Sequence, residues 1–185
     1  MKTVNIHTDG GCSGNQHDTN VGGWGAVLEY NGNRKELFGG ELNTTNNRME
    51  LMALIKGLEA LKSKDLAVQV FSDSAYVINC FQQGWYHKWR INNWRNSKKE
   101  PVENKELWER LLASVESISN ISFYSVKGHL DINKTSDVTK WFKKFNSKND
   151  LNYTREEFIE VVKMNHVADE LANCGIKQAK ETMID

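Results

Sequence analysis

Proline is almost missing from this chain: Pro101 is the only one in 185 residues. Proline-rich linkers and polyproline recognition segments are thereby excluded. Cysteine is scarce too. Cys12, Cys80 and Cys174 lie far apart and in odd number, which excludes a disulfide framework and a CxxC-type zinc site. Charge of either sign is not in excess, with 24 basic residues against 24 acidic ones. No global field gathers polyanions, so any nucleic-acid binding must come from local segregation of charge. The longest apolar runs fall well short of the roughly 20 residues that cross a bilayer, and the N-terminus has no apolar signal stretch. A cytoplasmic protein with free thiols and no membrane contact is the expectation.

What is present is material for one compact domain. Six Trp, seven Phe and five Tyr supply core or stacking surface, and the length suits a single core spanning 1–185. Val4 and Ile6 alternate with polar neighbours, predicting a strand over Thr3–Thr8 that ends at Asp9-Gly10-Gly11. Trp24–Tyr30 and Arg34–Leu42 flank Asn31-Gly32-Asn33, a hairpin signal. Leu51, Leu54, Ile55, Leu58 and Leu61 form one stripe of a helix over Asn47–Lys62. A buried strand over Leu66–Ser72, a helix over Ser74–Gln83, another over Glu106–Ser117 and a strand over Ile121–Val126 follow. Thr154 and Glu157 form a capping box opening a helix that runs to Gly175. Hairpin first, then alternating helices and strands, describes a mixed α/β layer fold.

Two stretches break this pattern. Residues 84–105 interleave Trp85, Trp89 and Trp94 with Lys88, Arg90, Arg95, Lys98, Lys99 and Lys105, opposed only by Glu100 and Glu103. Leu130–Asn152 is polar and lysine-rich around Trp141-Phe142-Lys143-Lys144-Phe145.

Carboxylates stand at strand ends and on helix faces. Asp9 and Asp73 each follow a predicted strand, Glu50 lies one turn into the next helix, and Asp169 lies within the last one. Four such groups brought together repel unless cations neutralise them. Hard oxygen ligands suit Mg²⁺ or Mn²⁺, and two such ions roughly 3.5–4 Å apart activate water and stabilise a leaving phosphodiester oxygen.

The segments around these acids recur in a recognisable order. Thr8-Asp9-Gly10-Gly11-Cys12-Ser13-Gly14-Asn15, Thr44-Thr45-Asn46-Asn47-Arg48-Met49-Glu50-Leu51, Ser72-Asp73-Ser74, Val126-Lys127-Gly128-His129 and Asn165-His166-Val167-Ala168-Asp169-Glu170-Leu171-Ala172 together resemble the type I ribonuclease H family over nearly the whole chain. The resemblance implies a ribonuclease H-like fold, a five-stranded mixed sheet flanked by helices. It implies metal-dependent endonucleolytic cleavage of the RNA strand of RNA–DNA hybrids, leaving 5′-phosphate and 3′-hydroxyl ends. Asp9, Glu50, Asp73 and Asp169 then correspond to the family's metal-binding carboxylates, holding two Mg²⁺ per site with Mn²⁺ as a substitute. His129 corresponds to its proton-carrying loop histidine, whereas His7 and His166 are read as structural.

Substrate contacts follow from the same resemblance. Cys12, Asn15, Asn46 and Asn47 match minor-groove residues, where the 2′-hydroxyl distinguishes RNA from DNA, and Thr45 matches a DNA-phosphate contact. Residues 84–105 resemble the basic handle of longer bacterial members, placing Trp85, Lys88, Arg90, Lys98 and Lys99 beside the hybrid. Such phosphate contacts give salt-dependent, sequence-blind affinity. Relatives often carry glutamine where Ala75 stands, so one minor-groove hydrogen bond is expected to be missing.

The chain departs from the family between His129 and Asp169. These residues are 40 positions apart, which implies an insertion of roughly 30 residues at about 131–160. That segment reads equally well as a second hybrid-binding element or as a surface excursion with buried aromatics. Asp131 and Asp137 are alternative last ligands, disfavoured by the motif around Asp169. Asn15–Asn20 replaces the family's usual proline and glycine, predicting a differently shaped loop there. The first strand begins almost at Met1, so affinity is expected to come from this one domain, acting as a monomer. The alternatives in other classes are a non-catalytic hybrid-binding module and a nuclease for branched DNA. The complete acid set opposes the first; Asn46-Asn47 and the basic handle oppose the second.

Overall fold

The computed structural model describes residues 1–14 and 19–183. Its elements are β1 (Lys2–Ser13), β2 (Val21–Tyr30), β3 (Asn33–Leu42), α1 (Asn46–Glu59), β4 (Leu66–Ser72), α2 (Ala75–Gln83), α3 (Trp85–Ile91), α4 (Lys105–Glu116), β5 (Asn120–Ser125), α5 (Thr135–Asn149) and α6 (Arg155–Glu181). The five strands form one mixed sheet in the order β3-β2-β1-β4-β5. β1, β2 and β3 make an antiparallel meander, and β4 and β5 run parallel to β1. The β2–β3 turn is the expected one: Asn31 and Gly32 both have positive φ, as a two-residue hairpin turn requires.

Alternation along the strands divides the core between two faces. Val4, Ile6, Ala26, Val68 and Val70 pack with Leu51, Leu54, Ile55 and Leu58 of α1 and with Trp108 and Leu111 of α4. On the other face, Val27 packs against Ala168 and Leu171 of α6. α6 comes so close to β2 that a Cβ at Gly25 would collide with the Ala168 carbonyl. That approach sets how far Asp169 stands from the sheet.

Three expectations change in the structure. β1 does not end at its glycines but continues to Ser13, because Gly10 and Gly11 pair with Trp24 and Gly23 of β2. Gly10 is required there by crowding: a Cβ would fall on the backbone of Met49 and Glu50 in α1. The lysine-rich stretch after Leu130 contains α5, a helix that charge concealed from the sequence pattern. Its Val138 and Phe145 are buried against Phe71, Phe158 and Val162, so the aromatics of this segment add a core of their own. α6 opens with the expected capping box at Thr154 and Glu157 and runs six residues beyond Gly175. The tryptophans of residues 84–105 turn inward, with Trp85, Trp89 and Trp94 packing onto the main core. No described helix is long and apolar enough to cross a membrane.

Candidate active site

Register brings the first two acids together. Thr8 pairs with Ser72 on the parallel strands β1 and β4, so Asp9, within β1, and Asp73, just past the end of β4, stand at the same level of neighbouring strands. Glu50 reaches the same point from α1, whose first turn is fixed by Thr45: its side-chain oxygen accepts from the Arg48 N–H. Asp9, Glu50 and Asp73 each offer an oxygen within 4.8 Å of the others. Asp169 of α6 closes the group, lining with the other three and His129 a cleft of about 300 Å³. Asp131 and Asp137 do not line that cleft.

Such crowding has the electrostatic consequence expected of it. Burial, reinforced by the charge of Asp73 and a hydrogen bond with Asp169, raises the Asp9 carboxyl to about 8. Burial, then the charges of Asp9 and Asp73, pushes Glu50 well above the ordinary glutamate range. Glu50 Oε2 is buried with no hydrogen-bond partner. A carboxylate oxygen without a donor, among three other acids, is unfavourable unless a cation takes the place of the proton. The residues therefore fit a hard divalent ion, Mg²⁺ or Mn²⁺, better than any arrangement of protein donors.

His129 sits on the loop after β5 with φ 55°, exposed at the mouth of the cleft. His7 is confined elsewhere. It is buried, stacked on Phe71 at 4.9 Å, and its Nε2 lies 2.9 Å from Glu29 Oε1. That contact holds the Glu29 carboxyl below its usual range. His166 does not line the cleft.

The expected substrate residues fall into two groups. Cys12 lines the cleft, and its N–H donates to Asn46 Oδ1 at 2.8 Å, tying the end of β1 to the start of α1. Asn47 is exposed beside them. Asn15 lies outside the described residues. In the handle, Lys88, Lys98 and Lys99 are exposed, Arg90 is paired with Glu116, and Trp85 is half-buried with its indole N–H on Gln83 Oε1.

The motif reading passed over two features. A Cβ at Gly128 would overlap the Asp73 carboxylate, so this glycine lets the His129 loop close against an acid. Lys127, Trp141, Lys144 and Lys148 line a second cavity of about 240 Å³ that shares Asp73 with the cleft. The signal for Gly128 was its place in Lys127-Gly128-His129. Of its lysines, Lys144 and Lys148 stand in the segment read as a possible hybrid-binding element, but the cavity itself was not legible because α5 was not visible as a helix.

Comparison with known proteins places this arrangement. The family described as RNase H matches over residues 1–177. The chain belongs to the RNase H family. Membership makes it a nuclease of the ribonuclease H class and accounts for the sheet order described above. Ribonuclease H of Thermoanaerobacter sp. (strain X514) is 53% identical over 131 residues, 71% of this chain and 81% of that protein. Ribonuclease H of Chlorobaculum parvum is 48% identical over 130 residues, 70% of this chain and 86% of that one. Among solved structures, LC11-RNase H1 in complex with an RNA/DNA hybrid is 25% identical with a TM-score of 0.58, covering 95% of this chain and 98% of that one. The prototype foamy virus (PFV) RNase H domain, 21% identical with a TM-score of 0.59 over 95% of both chains, shares the fold.

Proposed function

We propose that this chain hydrolyses the RNA strand of RNA–DNA hybrids, with two divalent cations held by Asp9, Glu50, Asp73 and Asp169. The observation that carries the reading is the convergence of oxygens from β1, α1 and β4 within 4.8 Å of one another, two of their carboxyls raised by burial and mutual charge. Mg²⁺ is the expected ion and Mn²⁺ a substitute, since both prefer oxygen ligands. When bound, such ions lower the pKa of water and offset the charge that develops on a leaving oxygen.

The chain's residues supply the rest. The water oxygen joins phosphorus as the P–O3′ bond breaks, leaving a 5′-phosphate and a 3′-oxygen that takes up a proton to become the 3′-hydroxyl. His129, exposed on its loop at the cleft mouth, is placed to carry that proton on an imidazole nitrogen. Cys12, Asn46 and Asn47 frame the groove side of the cleft, where a 2′-hydroxyl is read. Thr45 and the exposed Lys88, Lys98 and Lys99 contact phosphates, and Trp85 and Arg90 hold the handle in shape. The protein acts as a monomer in the cytoplasm, a reducing compartment that its three free thiols, one of them exposed, fit.

The test is cleavage of a labelled RNA–DNA hybrid with and without Mg²⁺, beside duplex RNA and duplex DNA. Cutting confined to the hybrid's RNA, dependent on Mg²⁺ and lost in Asp73→Asn, is the expected result. Binding without cutting in Mg²⁺ or Mn²⁺ would replace the enzyme by a binding module.

A further inference from the structure

α5 and the loop before His129 build a basic hollow against the wall of the acid cleft. Lys127, Lys144 and Lys148 line the cavity of about 240 Å³, and Asp73 belongs both to it and to the cleft. A second hollow follows along α5, sharing Trp141, Lys144 and Lys148 with the first and adding Lys143. The two therefore run in series away from the acids.

Charge here is concentrated and unneutralised. α5 carries Lys140, Lys143, Lys144 and Lys148 against a single acid, Asp137. Among the described residues, the lysines in ion pairs are Lys105 and Lys163, and neither belongs to this group. Trp141 gathers the ammonium groups: those of Lys127, Lys140 and Lys144 stand 5.2, 5.5 and 4.5 Å from its ring centre. Lys148 is steadied by a 3.0 Å hydrogen bond to Ser125 Oγ at the end of β5. The arrangement rests on a packed base, because Val138 and Phe145 of the same helix are buried. Three lysines arranged around one indole and left without carboxylate partners form a site for anions.

We propose that this hollow is a phosphate track for the RNA strand, receiving the phosphodiesters next to the one cut at the acids. The proposal rests on the hybrid-nuclease reading and adds to it a subsite formed by α5. The strand is chosen by the shared wall. A strand that puts one phosphate beside Asp73 carries its neighbouring phosphates into the adjoining cavity. Lysines bind phosphate as point charges, so the track adds affinity without sequence preference.

The test replaces Lys127, Lys144 and Lys148 together by Gln, three exposed side chains whose loss leaves the Val138–Phe145 packing intact. Hybrid binding is followed by anisotropy without Mg²⁺ between about 50 and 200 mM salt, and cleavage separately with Mg²⁺. At roughly 0.9 per phosphate contact on a duplex, the slope of log affinity against log salt should fall by about two to three in the variant. KM should rise about tenfold with kcat within about twofold, and the triple Arg variant should restore both. Lys2→Gln, at the opposite end of β1, should change neither. A neutral methylphosphonate beside the cleavage position on the RNA should weaken binding of the parent protein and not of the Gln variant. The same substitution on the DNA strand should weaken both alike. Equal salt slopes for parent and Gln variant would overturn the track while leaving cleavage to stand, and so would discrimination on the DNA strand alone. A parent protein that bound with the steeper slope but did not cut would overturn the nuclease reading and keep the track.

Discussion

Asn149, the last residue of α5, holds Ser125, the last residue of β5, by both sides of its backbone. Its Oδ1 accepts from the Ser125 N–H at 2.8 Å, and its Nδ2 donates to the Ser125 carbonyl at 2.9 Å. Nδ2 also reaches the Phe145 carbonyl at 2.9 Å. One amide thus extends β5 by a mock strand and anchors α5 to the sheet where the His129 loop begins. Asn149→Ala removes these bonds in a half-buried setting, for a loss of about 2 kcal/mol. In a chain of this size that corresponds to a fall of roughly 4–8 °C in Tm. Asn149→Asp keeps the acceptor but not the donor and should fall between the two. A Tm for Asn149→Ala equal to the parent's would show that α5 is anchored by its apolar face alone.

The acid cluster should make the metal-free protein weaken as pH rises. Asp9 is held at about 8 when folded and has an ordinary carboxyl pKa when unfolded, and Glu50 is shifted in the same direction. Between about pH 4 and pH 8 the folded state therefore binds more protons than the unfolded state. Its stability must decline with pH over that window. Glu29, Glu59 and Glu116 are shifted downward by His7, Arg110 and Arg90, so they lose their stabilising effect only in acid, below the ordinary glutamate pKa. Mg²⁺ displaces the protons and should raise Tm more at pH 8 than at pH 5.5. Thermal unfolding with EDTA and with Mg²⁺ at both pH values measures the difference. Asp9→Asn should flatten the EDTA profile and abolish most of the Mg²⁺ shift; an EDTA profile that rises toward pH 8 would contradict the cluster's electrostatics.

His129 needs a substitution that respects its backbone. At φ 55° a non-glycine residue is strained, and Asn tolerates this region better than Ala. His129→Asn should keep the parent's Tm and lower kcat by roughly 10²-fold, the contribution expected of a positioned proton carrier, with KM little changed. His129→Ala should show the same kinetic loss with a small additional fall in Tm. Parent-like kcat in His129→Asn would make this histidine a bystander.

Local pattern revealed most of this fold. The hairpin, the α1 stripe, the buried β4 and the Thr154 capping box are signalled within a few residues, and the structure has all four. The acids were legible because each stands in a recognisable motif, and Thr8↔Ser72 register brings two of them, Asp9 and Asp73, into proximity. Gly10 and Gly11 misled because glycine signals a turn locally, whereas here both pair with β2 and Gly10 answers a helix backbone more than thirty residues away. α5 was hidden for a related reason. With Val138 and Phe145 as its buried residues, its apolar face is narrow, and the partners that justify it, Phe71 and Phe158, belong to distant elements. What depended on a tertiary neighbour was not readable from spacing alone.

Gly128 offers a clean separation of site geometry from stability. A Cβ there would overlap the Asp73 carboxylate, whose Oδ2, Cγ and Cβ are its three nearest atoms. Gly128 does not have positive φ, so alanine meets no backbone strain at this position. Its cost falls on Asp73 instead, which must rotate away from Asp9 and Glu50 or push the loop outward. Gly128→Ala should therefore lower kcat by more than about tenfold and raise the Mg²⁺ concentration needed for half-maximal activity. Tm in EDTA should change little or rise, because moving one carboxylate out relieves the repulsion among the acids. Metal titration of activity beside EDTA melting curves reads both effects. If kcat and the Mg²⁺ requirement stayed at parent values, Asp73 would have freedom to spare, and the close fit of the loop would not be what positions it.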